Sequence, residues 1–167
     1  SRFEARINNS GEMVLYEEQN EQLWNKELIH KGEYYLNNSA GGNQISTYHL
    51  EAAIAYWHTH KQDTQEKWEN ILQLYNKLLQ VNYSPIAALN RTYALAKVMG
   101  SDVAIPEAKK LNLQQNLQYH ILLSYLYATV DVKIAIEYLQ NAENLAKREG
   151  DKIHLAKLKL RYLNLNA

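Results

Sequence analysis

Six histidines are the first residues that invite a chemical role: His30, His49, His58, His60, His120 and His154. A metal needs several ligands converging on one point. His58 and His60 stand two apart and would point to different faces of a helix. The other four stand alone, and no His-Glu-x-x-His arrangement occurs. Paired carboxylates would suit acid–base work, but Glu17 and Glu18 are adjacent, and neighbours do not share a helix face. Glu4, Glu12 and Glu137 have no evident partner. Gly41-Gly42 is too short for a phosphate loop and no Walker lysine follows it; a Gly-x-Ser-x-Gly elbow is also missing. With no cysteine in the chain, disulfides and thiolate metal sites are excluded. These residues lead to the expectation of no catalytic residue, no metal and no cofactor. One polar pair remains, Asn90-Arg91, inside an alanine-rich stretch behind Ser84-Pro85. Polar groups on such a helix must find partners if buried. Hydrogen bonding between helices is the simpler reading, and a contact within a binding groove is the functional one.

The elements that would carry these residues are helical. Two prolines and six glycines in 167 residues are too few for a many-turned β fold. Tyrosine is abundant, with 13 residues against one phenylalanine. Tyrosines pack well between helices when their hydroxyls reach a partner. Basic and acidic residues balance at 18 each, so the broad basic footprint of a nucleic-acid binder is missing. The run Lys147, Arg148, Lys152, Lys157, Lys159 and Arg161, set against Glu143, Glu149 and Asp151, reads as a solvated helix face. No apolar run approaches the roughly 20 residues that cross a bilayer, and no signal peptide opens the chain. The chain begins Ser1-Arg2-Phe3 without methionine, which reads as a fragment or processed product. A cytoplasmic location is expected.

Residues 1–19 read as an arm or short hairpin: Phe3, Ala5 and Ile7 alternate before the turn signal Asn8-Asn9-Ser10-Gly11. Residues 20–167 read as one helical domain. Trp24, Leu28 and Tyr35 mark a first helix near 20–37, and residues 37–43 form a loop. Ser46 or Thr47 caps the next helix, with Leu50, Ala53, Ile54 and Trp57 on its apolar face. Asp63 and Glu66 have the spacing of a capping box. The helix behind them stripes Trp68, Ile71, Leu72, Tyr75, Leu78 and Leu79 onto one face. Ser84-Pro85 opens a helix carrying Ile86, Leu89, Tyr93 and Leu95 that ends near Gly100. Pro106 is expected to start a short helix. Helices near 115–129 and 131–149 follow, the second stopping before Gly150. Asp151 is expected to cap the last helix, striped by Leu155, Leu158, Tyr162 and Leu165. Short loops imply antiparallel neighbours, either a compact bundle or stacked hairpins.

A 34-residue repeat logic sharpens that choice. A tetratricopeptide hairpin places large and small residues at fixed offsets so that two helices approach closely. Tyr119, Leu122, Leu123 and Leu126 take the first-helix offsets, and Ala135, Leu139 and Ala142 those of the second. Leu123 stands where a small residue is usual, Leu126 where an aromatic is usual, and Val130 where a turn glycine is usual. Trp68, Ile71, Leu72 and Tyr75 repeat the first-helix spacing. Their alanine-rich companion, with Ala87, Ala88, Ala94 and Ala96, is out of register. The expected fold class is all-α: stacked antiparallel helical hairpins of tetratricopeptide type, with a short N-terminal hairpin or arm.

From Gly11 to about Ala96 the chain resembles the C-terminal extension of a subgroup of extracytoplasmic-function (ECF) sigma factors. The resemblance rests on Arg6 with Gly11-Glu12-Met13-Val14-Leu15, and on Glu17-Glu18-Gln19-Asn20 with Trp24. It continues through Leu28-Ile29 and Gly32, and through Tyr48-His49-Leu50-Glu51-Ala52-Ala53-Ile54-Ala55 with His58. Trp68, Ile71, Leu74-Tyr75 and Leu78 follow, then Ser84-Pro85 and Ala88-Leu89-Asn90-Arg91. Asn20 and Asn25 depart from the family's usual aspartates, Thr92 and Tyr93 replace small residues, and residues 97–115 diverge. The resemblance implies a non-catalytic regulatory domain of a bacterial transcription initiation factor. Its partners would be the sigma domains of the same parent chain and RNA polymerase, or a regulatory protein. Direct nucleic-acid or membrane binding is not expected of this piece. Glu18, Gln19, Trp24, His49, His58, Asn90 and Arg91 are the candidate contact residues. The alternative is a free-standing helical-repeat scaffold for an unrelated peptide.

Overall fold

The computed structural model describes residues 2–8, 14, 18–39 and 46–164. Among them are eight α-helices: α1 (Lys26–Ser39), α2 (Thr47–Trp57), α3 (Gln65–Val81), α4 (Pro85–Met99), α5 (Ser101–Lys110), α6 (Leu117–Tyr127), α7 (Val132–Leu145) and α8 (Glu149–Asn164). The described residues contain no strand; Ile7 lies at an isolated bridge, where the Val14 N–H donates to the Arg6 carbonyl at 2.8 Å. The fold is all-α. Two compact units divide the chain, Ser1–Tyr83 and Ser84–Ala167.

In the first unit the expected alternation of Phe3, Ala5 and Ile7 gives way to a turn. The Ala5 and Arg6 N–H groups donate back to the Arg2 and Phe3 carbonyls at 3.2 Å each. Ala5 is buried, while Phe3 and Ile7 are exposed. Most of the Asn8-Asn9-Ser10-Gly11 turn signal lies outside the described residues.

The first helix begins later than its periodicity implied. A 3-10 turn (Glu21–Leu23) comes first, capped by Asn20, whose side chain accepts the Gln22 N–H at 2.9 Å. Asn25 then takes the Leu28 N–H at 2.9 Å, and α1 starts at Lys26. Trp24 is therefore not part of α1. Leu28 and Tyr35 are 52% and 68% exposed, so the expected stripe faces outward. The half-buried positions are Ile29, Glu33 and Leu36, spaced i, i+4, i+7. Helix α1 packs on α2, and α2 on α3.

The expected stripe of α3 is borne out at five of its six positions: Trp68, Ile71, Leu72, Tyr75 and Leu78 are buried, and Leu79 is half-buried. Its cap is not Asp63. Thr64 Oγ1 accepts the Lys67 N–H at 3.3 Å, and Asp63 accepts the indole N–H of Trp68. A buried indole donor needs an acceptor, and Asp63 supplies it, leaving the cap to the next residue.

The second unit opens as its sequence predicts. Ser84 Oγ accepts the Ala87 N–H at 3.1 Å, Pro85 takes the first helical position, and α4 ends at Gly100. Gly100 has φ +90°, a region that L side chains rarely adopt. It serves as the C-cap of α4 and the N-cap of α5 at once. Helix α5 starts at Ser101, so Pro106 lies inside it rather than at its start. Proline there removes one intrahelical N–H bond, a loss that the short helix accommodates. Asn116 and Asp131 cap α6 and α7 through their side-chain oxygens. Helix α7 stops at Leu145 because Ala146 turns extended, with ψ 115°. Gly150 and Asp151 fall in the first turn of α8, where the Arg148 carbonyl accepts from the Asp151 and Lys152 N–H groups. Asp151 is thus a first-turn acid, not the cap.

The repeat offsets of α6 and α7 all converge on the interior. Leu123, Leu126, Ala135, Leu139 and Ala142 are 0% exposed, and Tyr119 and Leu122 are buried beside them. Alanine at 135 and 142 removes side-chain bulk and lets the two helices close. Leu155 and Tyr162 of α8, Ala104 and Ala108 of α5 and Leu89 of α4 complete one core. On α4, Ile86 is 61% exposed, and the buried face is made of Ala87, Ala88, Leu89, Thr92 and Ala94. The second suspected repeat, 68–96, spans both units: α3 has α2 as its partner, and α4 has α5 and α6.

Candidate functional site

The first unit holds a groove of about 250 Å³. Its lining comes from two short stretches. The turn before α1 and the start of α1 give Glu21, Trp24, Lys26, Ile29, His30 and Glu33; the end of α2 and the residues after it give Tyr56, Thr59 and His60. Helix α1 places Glu33 one turn beyond Ile29 on its inward face, so the carboxylate meets α2. There the Tyr56 hydroxyl donates to Glu33 Oε1 at 3.3 Å. Burial raises the Tyr56 pKa, and the Glu33 charge and hydrogen bond raise it further. The other oxygen, Glu33 Oε2, lies 3.7 Å from His30 Nδ1.

Behind α2 the chain turns tightly. Thr59 Oγ1 donates to the Tyr56 carbonyl at 2.7 Å, and His60 Nδ1 lies 3.3 Å from the same oxygen. This folds the His60 ring back onto Tyr56, edge to face at 4.8 Å between centroids. Trp57 stands 6.1 Å from Tyr56 and 5.6 Å from His60. Two lysines lock the turn. Lys61 Nζ donates to the Gln19 carbonyl at 2.8 Å and lies 3.7 Å from Glu21. Lys67 is 1% exposed; its Nζ donates to the His60 carbonyl at 2.6 Å and sits 5.2 Å from the Trp68 ring centroid.

The structure brings three of the seven candidate residues into this neighbourhood. Trp24 lines the groove, is 6% exposed, and carries the Arg2 guanidinium 5.5 Å from its ring centroid. Gln19 is buried; its Nε2 donates to the Val14 carbonyl at 3.4 Å, and its own carbonyl holds Lys61. His58 ends α2 and packs edge-on against Trp68 at 6.0 Å. Burial, then the charges of Arg2 and Lys67, lower its pKa to about 4.

The other four stand differently. Glu18 is exposed. His49 belongs to the cap of α2: its Nδ1 accepts the Ser46 N–H at 3.3 Å and lies 2.7 Å from Ser46 Oγ. Imidazole here does the work of the glutamate in a capping box. Asn90 is exposed and Arg91 half-buried on α4 in the second unit, and neither lines the groove. The buried polar residue of α4 is Thr92, whose hydroxyl donates to the Ala88 carbonyl at 2.9 Å.

Sequence reasoning missed Glu33, Tyr56, His60 and Lys67. Glu33 and Tyr56 pair across 23 residues, a separation that local periodicity does not encode. Lys67 carried a signal: it directly precedes Trp68 in the core stripe of α3. Among the described residues no group of three histidines, aspartates or glutamates is placed to hold a metal.

Comparison with known proteins adds a narrow context. Residues 1–40, which include six of the nine groove-lining residues, match a family of unknown function (DUF6596). An uncharacterized protein of Rhizobium meliloti (strain 1021) is 31% identical over 123 residues, 72% of this chain. The match spans 29% of that relative's length. No solved structure matches the chain. No helix among the described residues is long and apolar enough to cross a membrane.

Proposed function

We propose that this chain is a non-catalytic, protein-binding regulatory domain of an ECF-type sigma factor, acting in transcription initiation from the cytoplasm. One observation carries the reading. Trp24 and Ile29, on which the sigma-factor resemblance rests, line one groove with Tyr56, which directly follows the resembling stretch 48–55. Asn20 and Asn25, which depart from that resemblance, act as helix caps, a task aspartate performs equally well. The matched relative is far longer than this chain, which leaves room for promoter-reading domains elsewhere in such a protein. The well-packed α6–α7 hairpin supports a helical-repeat architecture, and such arrays bind partners on extended surfaces.

In this reading the groove grips the sigma domains of the same parent chain, polymerase, or a regulator. Exchange between these partners shifts the factor between silent and active populations. The deciding experiment is co-purification of the parent's sigma domains and RNA polymerase with and without residues 1–167, joined to promoter-dependent transcription. Capture by the domain, and altered transcription when it is deleted, is the expected result. A domain that retains neither bait, and whose deletion leaves transcription unchanged, refutes the role.

A further inference from the structure

We propose that the groove between Trp24 and Glu33 receives one cationic side chain, arginine or lysine, from the partner protein; this rests on the protein-binding reading and supplies the partner's chemistry. The volume is the first argument. About 250 Å³ falls below the roughly 300–1,000 Å³ of pockets for drug-sized ligands and suits a single side chain.

The walls are the second. Trp24 and Ile29 offer apolar surface to an aliphatic stem, and Tyr56 and His60 add rings. Aromatic faces attract cations, and the same chain already seats Arg2 over Trp24 and Lys67 over Trp68. Charge is the third. Glu21 is paired with Lys61 at 3.7 Å, so the carboxylate that meets a guest is Glu33, whose described partners are the Tyr56 hydroxyl and His30. Glu33 is half-buried, where its field is less screened than at the surface. Its Oε2 has only the 76%-exposed His30 at 3.7 Å among the described partners, a contact that a guanidinium would displace. Leu23 and Leu28, on the same short segment, are 46% and 52% exposed. That apolar surface favours a protein over a free amine.

The test follows the Trp24 indole signal of the isotopically labelled chain by NMR. N-acetyl-arginine methylamide and N-acetyl-lysine methylamide are the probes, the neutral citrulline analogue is the control, and spermine is the free-amine arm. A saturable shift at millimolar concentration is expected with the cations alone, and Glu33→Gln should weaken it about fivefold. Citrulline binding as tightly as arginine, or no shift with either cation at roughly 50 mM, overturns the proposal. Spermine binding more tightly than the arginine probe overturns the assignment to a protein side chain. The citrulline comparison uses the natural chain, so it stands even if the variant unfolds. Partner capture is read separately: if Glu33→Gln still retains the sigma domains while probes fail on the natural chain, the pocket falls and the regulatory reading survives.

Discussion

The two units of this chain solve the same packing problem with different residues. The second unit builds its core mainly from leucine, alanine and tyrosine, with Leu123, Leu126, Ala135, Leu139, Ala142 and Leu155 all fully buried. The first buries Gln19, Trp24, Lys67 and Trp68. An apolar core is non-directional and tolerant. A core that buries the Lys67 ammonium and the Trp68 indole holds only while those donors keep their acceptors. Residues of the first kind set helix spacing. Those of the second fix the orientation of a turn, and here that turn is a wall of the groove.

The largest expected effect lies in the second unit. Leu123→Ala should cost about 3 kcal/mol, within the span for buried leucine truncation, since Leu123 is 0% exposed. Urea denaturation followed by circular dichroism measures it. Trp24, Trp57 and Trp68 are all in the first unit, so tryptophan fluorescence is a built-in reference. A shift in dichroism that exceeds the shift in fluorescence sharpens the contrast. Equal shifts in both signals would show the units melting as one and break it. Lys67→Met should cost about 2 kcal/mol, because the stem keeps its packing while the His60 carbonyl loses its donor. Here fluorescence should report the loss. A neutral result would mean that Lys67 is merely an aliphatic filler.

Legibility in the sequence follows the same divide. The α6–α7 core was readable residue by residue, because leucine and alanine at helical spacing face one way whatever surrounds them. The stripe of α3 was readable for the same reason. Errors clustered where side chains compete for backbone groups. Asp63 had the better capping pattern, yet the Trp68 indole claimed it and Thr64 became the cap. Trp24, Leu28 and Tyr35 matched a helical stripe, yet Asn25 caps a helix that starts at Lys26, two residues past Trp24. The groove was half legible. Trp24 stood out by type, whereas Glu33 and Tyr56 meet only through tertiary packing.

A pH titration probes the first unit's polar core directly. The His58 pKa falls from its ordinary 6.5 to about 4 in the fold. Between those values the unfolded chain binds a proton that the folded chain does not, so stability rises with pH there. The contribution is complete above pH 6.5, declines as pH falls toward 4, and is flat below. Its full size is about 3 kcal/mol from the shift, reduced by His58 being only partly buried. His58→Asn should remove the slope between pH 6.5 and 4, read from urea midpoints at each pH. An unchanged slope would transfer the effect to another group and remove His58 from the comparison.

The smallest effect tests which residue starts α3, and so what holds Trp68 in place. Thr64→Ala should cost about 1 kcal/mol, the usual price of a lost N-cap, because Thr64 Oγ1 accepts the Lys67 N–H. Asp63→Ala leaves that cap intact but strips the acceptor from the Trp68 indole. The two variants therefore differ in signature. The first lowers the melting midpoint with little change in the native tryptophan spectrum, while the second also alters that spectrum by freeing a buried donor. If Asp63→Ala behaves as a plain cap mutant and Thr64→Ala is silent, the capping box read from Asp63 and Glu66 is the true start of the helix. The first unit would then lose one of the directional bonds that set it apart from the second.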